Sequence, residues 1–178
     1  MNKDERIKLF NEFMKYEKPL FDMEVDELDE IGFFTAPAST KYHGAYEGGL
    51  FDHSLATAKA LVNLTEKLGL TWERECSPYI VGMYHDLCKC ESYVKDPFGD
   101  KYIYNSEIIM PGHGDKSVIM LSRYMPLNNE EIACIRWHMG AYERDPKMWE
   151  YYGRAIEKYP NVLYTHTADM IASRIEGV

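Results

Sequence analysis

Polar side chains recur on the inward faces of several helical segments of this chain, and no other feature narrows its fold as much. The sharpest case is VGMYHDLCK, residues 81–89, where His85 and Asp86 stand side by side in an otherwise apolar run and Lys89 follows the aspartate by three. Adjacent helical residues diverge by about 100°, so the pair flanks one point or contacts two neighbouring ones, while Lys89 returns to the same side. Other histidines lie beside apolar runs too. His53 comes three positions after Leu50, His138 three after Ile135, and His113 opens HGDKSVIMLSRYM. Asp169 sits among Ala168, Ile171, Ala172 and Ile175, where an ionised carboxylate without a partner costs several kcal/mol. Its partner is either Arg174, a cap, or a metal already held by His53, His85 and Asp86.

Taken singly, each of these histidines reads as a satisfied core residue. Four in one small domain shift the balance toward a shared task. Neutral imidazole is the commonest metal ligand, and carboxylate oxygen beside it suits a divalent first-row cation kept open to water.

The rest of the chain supplies helices to carry these groups. Ile7, Phe10, Phe13 and Met14 predict an amphipathic first helix stopped by Pro19, and a short helix is expected in FDMEVDELDEIGFF. TAPASTKYHGAYEGG is a loop by its Pro, Ser and Gly content. Helix returns from Leu50 to Leu68, ended by Gly69, and a further helix, capped by Thr71, is expected to run through YIVGMYHDL to about Cys88. Between Glu91 and Ile109 the alternation of β-branched and aromatic residues around DPFGD predicts a β-hairpin. Its tyrosines 102 and 104 either stack on a base or, more simply, pack across the strands. Helix resumes at His113 and ends by Pro126; Asn128 with Glu131 forms a capping box for the next, and two further helices follow. The fold class is therefore all-α, a single-domain helical bundle with a small β-hairpin. Residues 1–36 are expected as an N-terminal helical extension packed on the core, and residues 37–178 as one compact unit.

At 178 residues the chain can bury a core without staples. No apolar stretch approaches the roughly 20 residues that cross a bilayer, and the charged start MNKDERIKLFNEF carries no secretory signal. A cytoplasmic location is expected. Cys76, Cys88, Cys90 and Cys134 are then reduced, buried structural thiols. A net charge of −9 disfavours duplex nucleic acid, which is held largely through Lys and Arg. A cation-lined pocket for a small phosphate ester stays open.

The landmarks His53, His85-Asp86 and Asp169, with the flanks GGLFDHS, YHDLCK and HTADMIAS, resemble the HD-domain metal-dependent phosphohydrolases across residues 37–175. PGHGDKS and RWHMGAY look like the two added histidines of a two-metal subgroup, and PASTKYHGAYEGGLFDH is similar to the segment before the first helix in the HD domains of bacterial 3'-5' exoribonucleases. The resemblance implies metal ligands His53, His85, Asp86, His113, His138 and Asp169, with Asp86 bridging, and one or two divalent ions among Mn, Fe, Ni, Co, Mg and Zn. It implies hydrolysis of a nucleotide or other small phosphate ester by a metal-activated water. Asp86 and Lys89 are the expected catalytic residues, Lys89 neutralising phosphoryl charge, and Lys41, Tyr42, His43 and Lys89 the expected substrate contacts. His166, one turn before Asp169, supports the site rather than ligating.

Alternatives are a 3'-5' exonuclease or a phosphodiesterase of short oligonucleotides or cyclic dinucleotides, a di-iron oxygenase, and a non-catalytic metal-binding sensor or interaction module. The expected partner is a small phosphorylated substrate, a nucleotide foremost, with no membrane and no duplex nucleic acid. Self-association into a homo-oligomer stays open.

Overall fold

The computed structural model describes residues 1–15, 25–110, 112–142 and 145–178. The helix stop assigned to Pro19 falls outside them. Among the described residues the chain forms a helical bundle with one two-stranded hairpin. Its elements are α1 (Lys3–Met14), α2 (Val25–Glu30), α3 (Gly49–Leu68), α4 (Ser77–Tyr84), α5 (Lys89–Ser92), β1 (Tyr93–Lys95), β2 (Tyr102–Tyr104), α6 (His113–Leu121), α7 (Asn129–Trp137), α8 (Pro146–Lys158) and α9 (Asn161–Met170), which continues as a π-helical turn over Ile171–Glu176.

Local chemistry sets the ends of these helices. Asn2 and Glu5 cap α1 reciprocally, and Asn128 and Glu131 do the same for α7, as their spacing predicts. Gly69 closes α3 in the left-handed conformation, its N–H donating to Thr65 O. Thr71 does not cap α4. That helix begins at Ser77 with Pro78 in its first turn, where a missing N–H costs nothing. Residues 71–76 instead fasten to α7: Glu73 N–H donates to Glu130, Arg74 pairs with the buried Glu131, and Ser77 Oγ donates to the same carboxylate at 2.7 Å.

Helix α4 also stops earlier than its apolar pattern implies. After Tyr84 the backbone tightens into three-residue turns, with Leu87 N–H donating to Tyr84 O and Lys89 N–H to Asp86 O. His85 and Asp86 therefore sit at a helix end that is itself buried.

The bundle's centre is the contact of α3 with α4. An ideal Cβ built on Gly82 would lie 2.4 Å from Ala58 Cα, so only glycine permits this approach. Leu50, Phe51, Leu61, Ile80, Met83, Tyr84 and Leu87 fill the space around it, all essentially without exposure. Each such side chain contributes about 1.5–3 kcal/mol on burial. Helix α9 packs on α3 and α7 and also touches α4. Helix α1 is joined to α3 by the paired bonds of Arg6 to Asp52 at 2.9 and 3.1 Å.

The hairpin pairs Tyr93 with Tyr104 and Lys95 with Tyr102. The Tyr93 and Tyr104 rings meet edge to face across the strands, with centroids 5.2 Å apart, which is the cross-strand role for Tyr104.

Candidate metal centre

Five elements deliver the polar groups to one point. His53 comes from the second turn of α3, His85 and Asp86 from the end of α4, His113 from the first residue of α6, His138 from the end of α7 and Asp169 from α9. Close helix contacts hold the spacing. Gly82 allows α3 to meet α4, and a Cβ on Gly114 would lie 2.2 Å from Arg136 O, so α6 can start against the end of α7. The imidazoles consequently form a chain of neighbours: His53 to His85, His85 to His138 and His138 to His113 have ring centroids 5.2, 4.8 and 5.1 Å apart.

Asp86 is at the middle. Its Oδ2 lies 3.4 Å from Nε2 of both His53 and His85, and its Oδ1 lies 2.6 Å from His113 Nε2 and 3.3 Å from His138 Nε2. Asp169 Oδ1 stands 3.3 Å from His53 Nε2. Lys89 Nζ contacts Asp86 Oδ2 at 2.5 Å.

The outer nitrogens fix which face each ring presents. Nδ1–H donates to a carbonyl in three of the four: His53 to Val178 O at 3.0 Å, His85 to Gly82 O at 2.9 Å and His138 to Ile135 O at 2.7 Å. His113 Nδ1 meets Cys88 Sγ at 3.0 Å. A neutral imidazole that donates through Nδ1 has a bare lone pair at Nε2, so the inner faces of these rings are acceptors.

Those inner faces fit a metal. His53 and His85 turn two Nε2 atoms toward each other at 3.3 Å, and with Nδ1 committed outside neither can donate to the other while neutral. Asp86 Oδ1 and His138 Nε2 are fully buried and face each other at 3.3 Å. Lone pairs of neutral imidazoles that face one another and a carboxylate favour a cation between them, and their spacing suits one. Donors held about 2.1 Å from a common ion at angles of 90–110° stand roughly 3.0–3.4 Å apart. Three overlapping groups could each hold an ion: His53, His85 and Asp86; His85, His138 and Asp169; and Asp86, Cys88 and His113.

The titration shifts report the same negative focus. Burial pushes the Asp86 carboxyl up, but Lys89, His113 and His85 outweigh it and hold it well below its ordinary range. Asp169 is likewise lowered against burial, by His53 foremost. Burial opposes protonation of His53 and His113, yet Asp169 and Asp86 raise the first, and Asp86 and Cys88 raise the second to about 10. Burial lowers His138.

A cage that prefers a proton must release it to bind a metal. Since His113 stays protonated up to about 10, affinity is expected to rise with pH through the neutral range. Loading with Mn(II) or Zn(II) at pH 7 should release about one proton per ion bound. Calorimetric titration in two buffers of different ionisation enthalpy measures this directly. Equal heats in both buffers would show that no ligand is protonated beforehand.

Above the cage lies a cavity of about 750 Å³, whose wall includes Asp86, Lys89, His113, Asp169, Tyr42 and His43. His43 is carried there by its loop, in which Ser39 Oγ donates to His43 O and Tyr42 N–H donates to Ser39 Oγ, both at 2.8 Å. Its ring centroid lies 4.8 Å from that of His53, the planes tilted by 36°, and burial, His53 and Lys89 lower its pKa to about 4. Tyr42 is exposed at the rim. Lys41 is exposed and not part of the cavity wall. His166 supports rather than joins the cage, its Nδ1–H donating to His138 O at 2.8 Å.

Three supports have weak signals in the sequence. Cys88 reads as an ordinary buried thiol until it is found against His113. Val178 lies 125 residues from the ring it orients, and periodicity does not reach that far. Lys116 follows His113 by three, a same-face spacing that marks it for the cavity it lines.

The HD domain family profile matches residues 50–172, more than half of the chain, from just before His53 to just beyond Asp169. The chain belongs to the HD-domain family, whose members are in general metal-dependent hydrolases. No curated protein and no solved structure matches it. No helix among the described residues is long and apolar enough to cross a membrane.

Proposed function

We propose that this chain is a metal-dependent phosphohydrolase acting on a nucleotide or other small phosphate ester. The convergence of four Nε2 atoms on Asp86, with Asp169 beside His53, at the foot of an open cavity carries this reading. A divalent ion bound there supplies Lewis acidity toward a phosphoryl oxygen and a lowered pKa for water.

The chain's own residues do the rest. Asp86, kept ionised by Lys89 and the imidazoles, provides the fixed negative charge that retains cations. The Nδ1 bonds hold the rings in place, so little reorganisation is needed at the moment of reaction. Lys89 is 7% exposed and on the cavity wall. Burial lowers its pKa but Asp86 outweighs that, so it stays charged and faces the charge that develops on phosphoryl oxygens. His43 is neutral at pH 7 and offers a hydrogen bond to the substrate beside the cage. Tyr42 adds a ring at the rim, while Lys41 reaches only a substrate that extends beyond it. The likeness of residues 37–53 to exoribonuclease HD domains adds short oligonucleotides to the candidates.

Phosphate or nucleoside release from mononucleotides, cyclic dinucleotides and short oligonucleotides, with Mn(II) or Ni(II), tests the reading. Turnover of none of them would remove it. Within an active pair, Lys89→Ala is expected to lower kcat by roughly 10²–10³-fold, the cost of one charge-stabilising donor, with metal content retained. Full activity at full metal content would take the role from Lys89.

A further inference from the structure

The cavity is charged oppositely to the protein around it. The chain carries a net −9, yet among the described residues the only carboxylates on the cavity wall are Asp86 and Asp169 of the cage. Beyond the cage and the Lys89 ammonium paired with Asp86, the charged groups on the wall are Lys116 and Arg174. Arg174 is exposed and donates to Tyr142 Oη at 3.2 Å, so it adds positive charge at the mouth.

Lys116 is the more informative of the two. It shares a face of α6 with the ligand His113, one turn further on. Its side chain is 7% exposed, and its ammonium contacts Glu91 Oε2 at 2.8 Å. A lysine stem is long enough to carry its charge out to water, and burying the charge is costly. Glu91 offsets that cost weakly, because its own side chain is 53% exposed and such pairs contribute little. Glu91 also lies outside the wall, and an ammonium has three donors. A charged donor is thus held at the cavity, one turn from the metal cage, for no gain in stability that its partner explains.

We propose that Lys116 seats a second phosphoryl group of the substrate, one that is not attacked. This deepens the phosphohydrolase reading and rests on it. The substrate class is an ester with two phosphoryl groups, either a diphosphate chain or the next phosphate of a phosphorylated dinucleotide. Arg174 assists at the mouth by its charge.

The test compares KM for a nucleoside monophosphate, the matching diphosphate and a 5'-phosphorylated dinucleotide. Lys116→Met keeps the stem and removes the charge. It should raise KM for one of the doubly phosphorylated substrates relative to the monophosphate by roughly 10–100-fold, the loss of a charged hydrogen bond, and Lys116→Arg should restore most of it. Which of the two shows the effect identifies the source of the second phosphate. An equal change on all three would overturn the proposal.

Inorganic pyrophosphate, bound to the manganese-loaded protein and followed by calorimetry, reads the same subsite without turnover. Its advantage over orthophosphate should shrink about tenfold in Lys116→Met and grow in Glu91→Gln, which frees the ammonium. An advantage unaltered in both variants overturns the subsite even if esters are hydrolysed. An advantage lost in Lys116→Met upholds it even if none is, and then only the hydrolase reading fails.

Discussion

Asp86→Asn is expected to lower ester hydrolysis by at least about 10³-fold and to lose bound metal in the same step. Asp86 is the one residue whose oxygens face all four cage imidazoles, at 2.6–3.4 Å, as well as Lys89 at 2.5 Å. The amide keeps the shape and removes the charge. It also leaves the Lys89 ammonium without its carboxylate in a buried site, a loss on the order of several kcal/mol in charge balance. Elemental analysis and phosphate release on the same preparation separate the two effects. A variant that kept both metal and rate would show that the cage is centred elsewhere.

The second large effect comes from a residue that touches no ligand. Gly82→Val should destabilise the protein by about 3 kcal/mol, the upper part of the range for overpacked cores. For a chain of this length that is a fall in Tm of roughly 6–12 °C. The same change should weaken metal binding by roughly 10–100-fold, the range seen when support for a metal's ligands is lost. The Cβ would sit 2.4 Å from Ala58 Cα, so α3 and α4 must part. Those are the helices that carry His53 and His85, whose Nε2 atoms are 3.3 Å apart. Wild-type Tm and metal content in this variant would show that the interhelical contact does not set the ligand spacing.

Much of this arrangement is written in local sequence. The capping box at Asn128 and Glu131, Gly69 at the end of α3 and the aromatic alternation at 93–104 are short-range signals, and each forms in place. The HD landmarks are legible because side chains of this kind on apolar faces need partners, and the match over residues 50–172 spans them.

What escaped has a common cause. Thr71 has the chemistry of a helix cap, but Glu130 and Glu131 of α7 take hold of the segment after it, and α4 starts at Ser77 instead. The apolar run through His85 continues past the point where the backbone tightens, because hydrophobic periodicity does not distinguish a buried turn from a buried helix. The π-helical turn after Met170 brings Val178 back to His53, and nothing nearer than α3 determines that contact. Tertiary partners decided all three.

The central claim is that the cage holds a divalent ion on which hydrolysis depends. Elemental analysis of protein purified without chelator, then stripped and reloaded with Mn(II) or Ni(II), tests it most directly when phosphate release is followed at each stage. One or two ions per chain, with activity lost on stripping and regained on reloading, is the predicted result. No metal under any loading condition, or hydrolysis that survives stripping, would contradict the account.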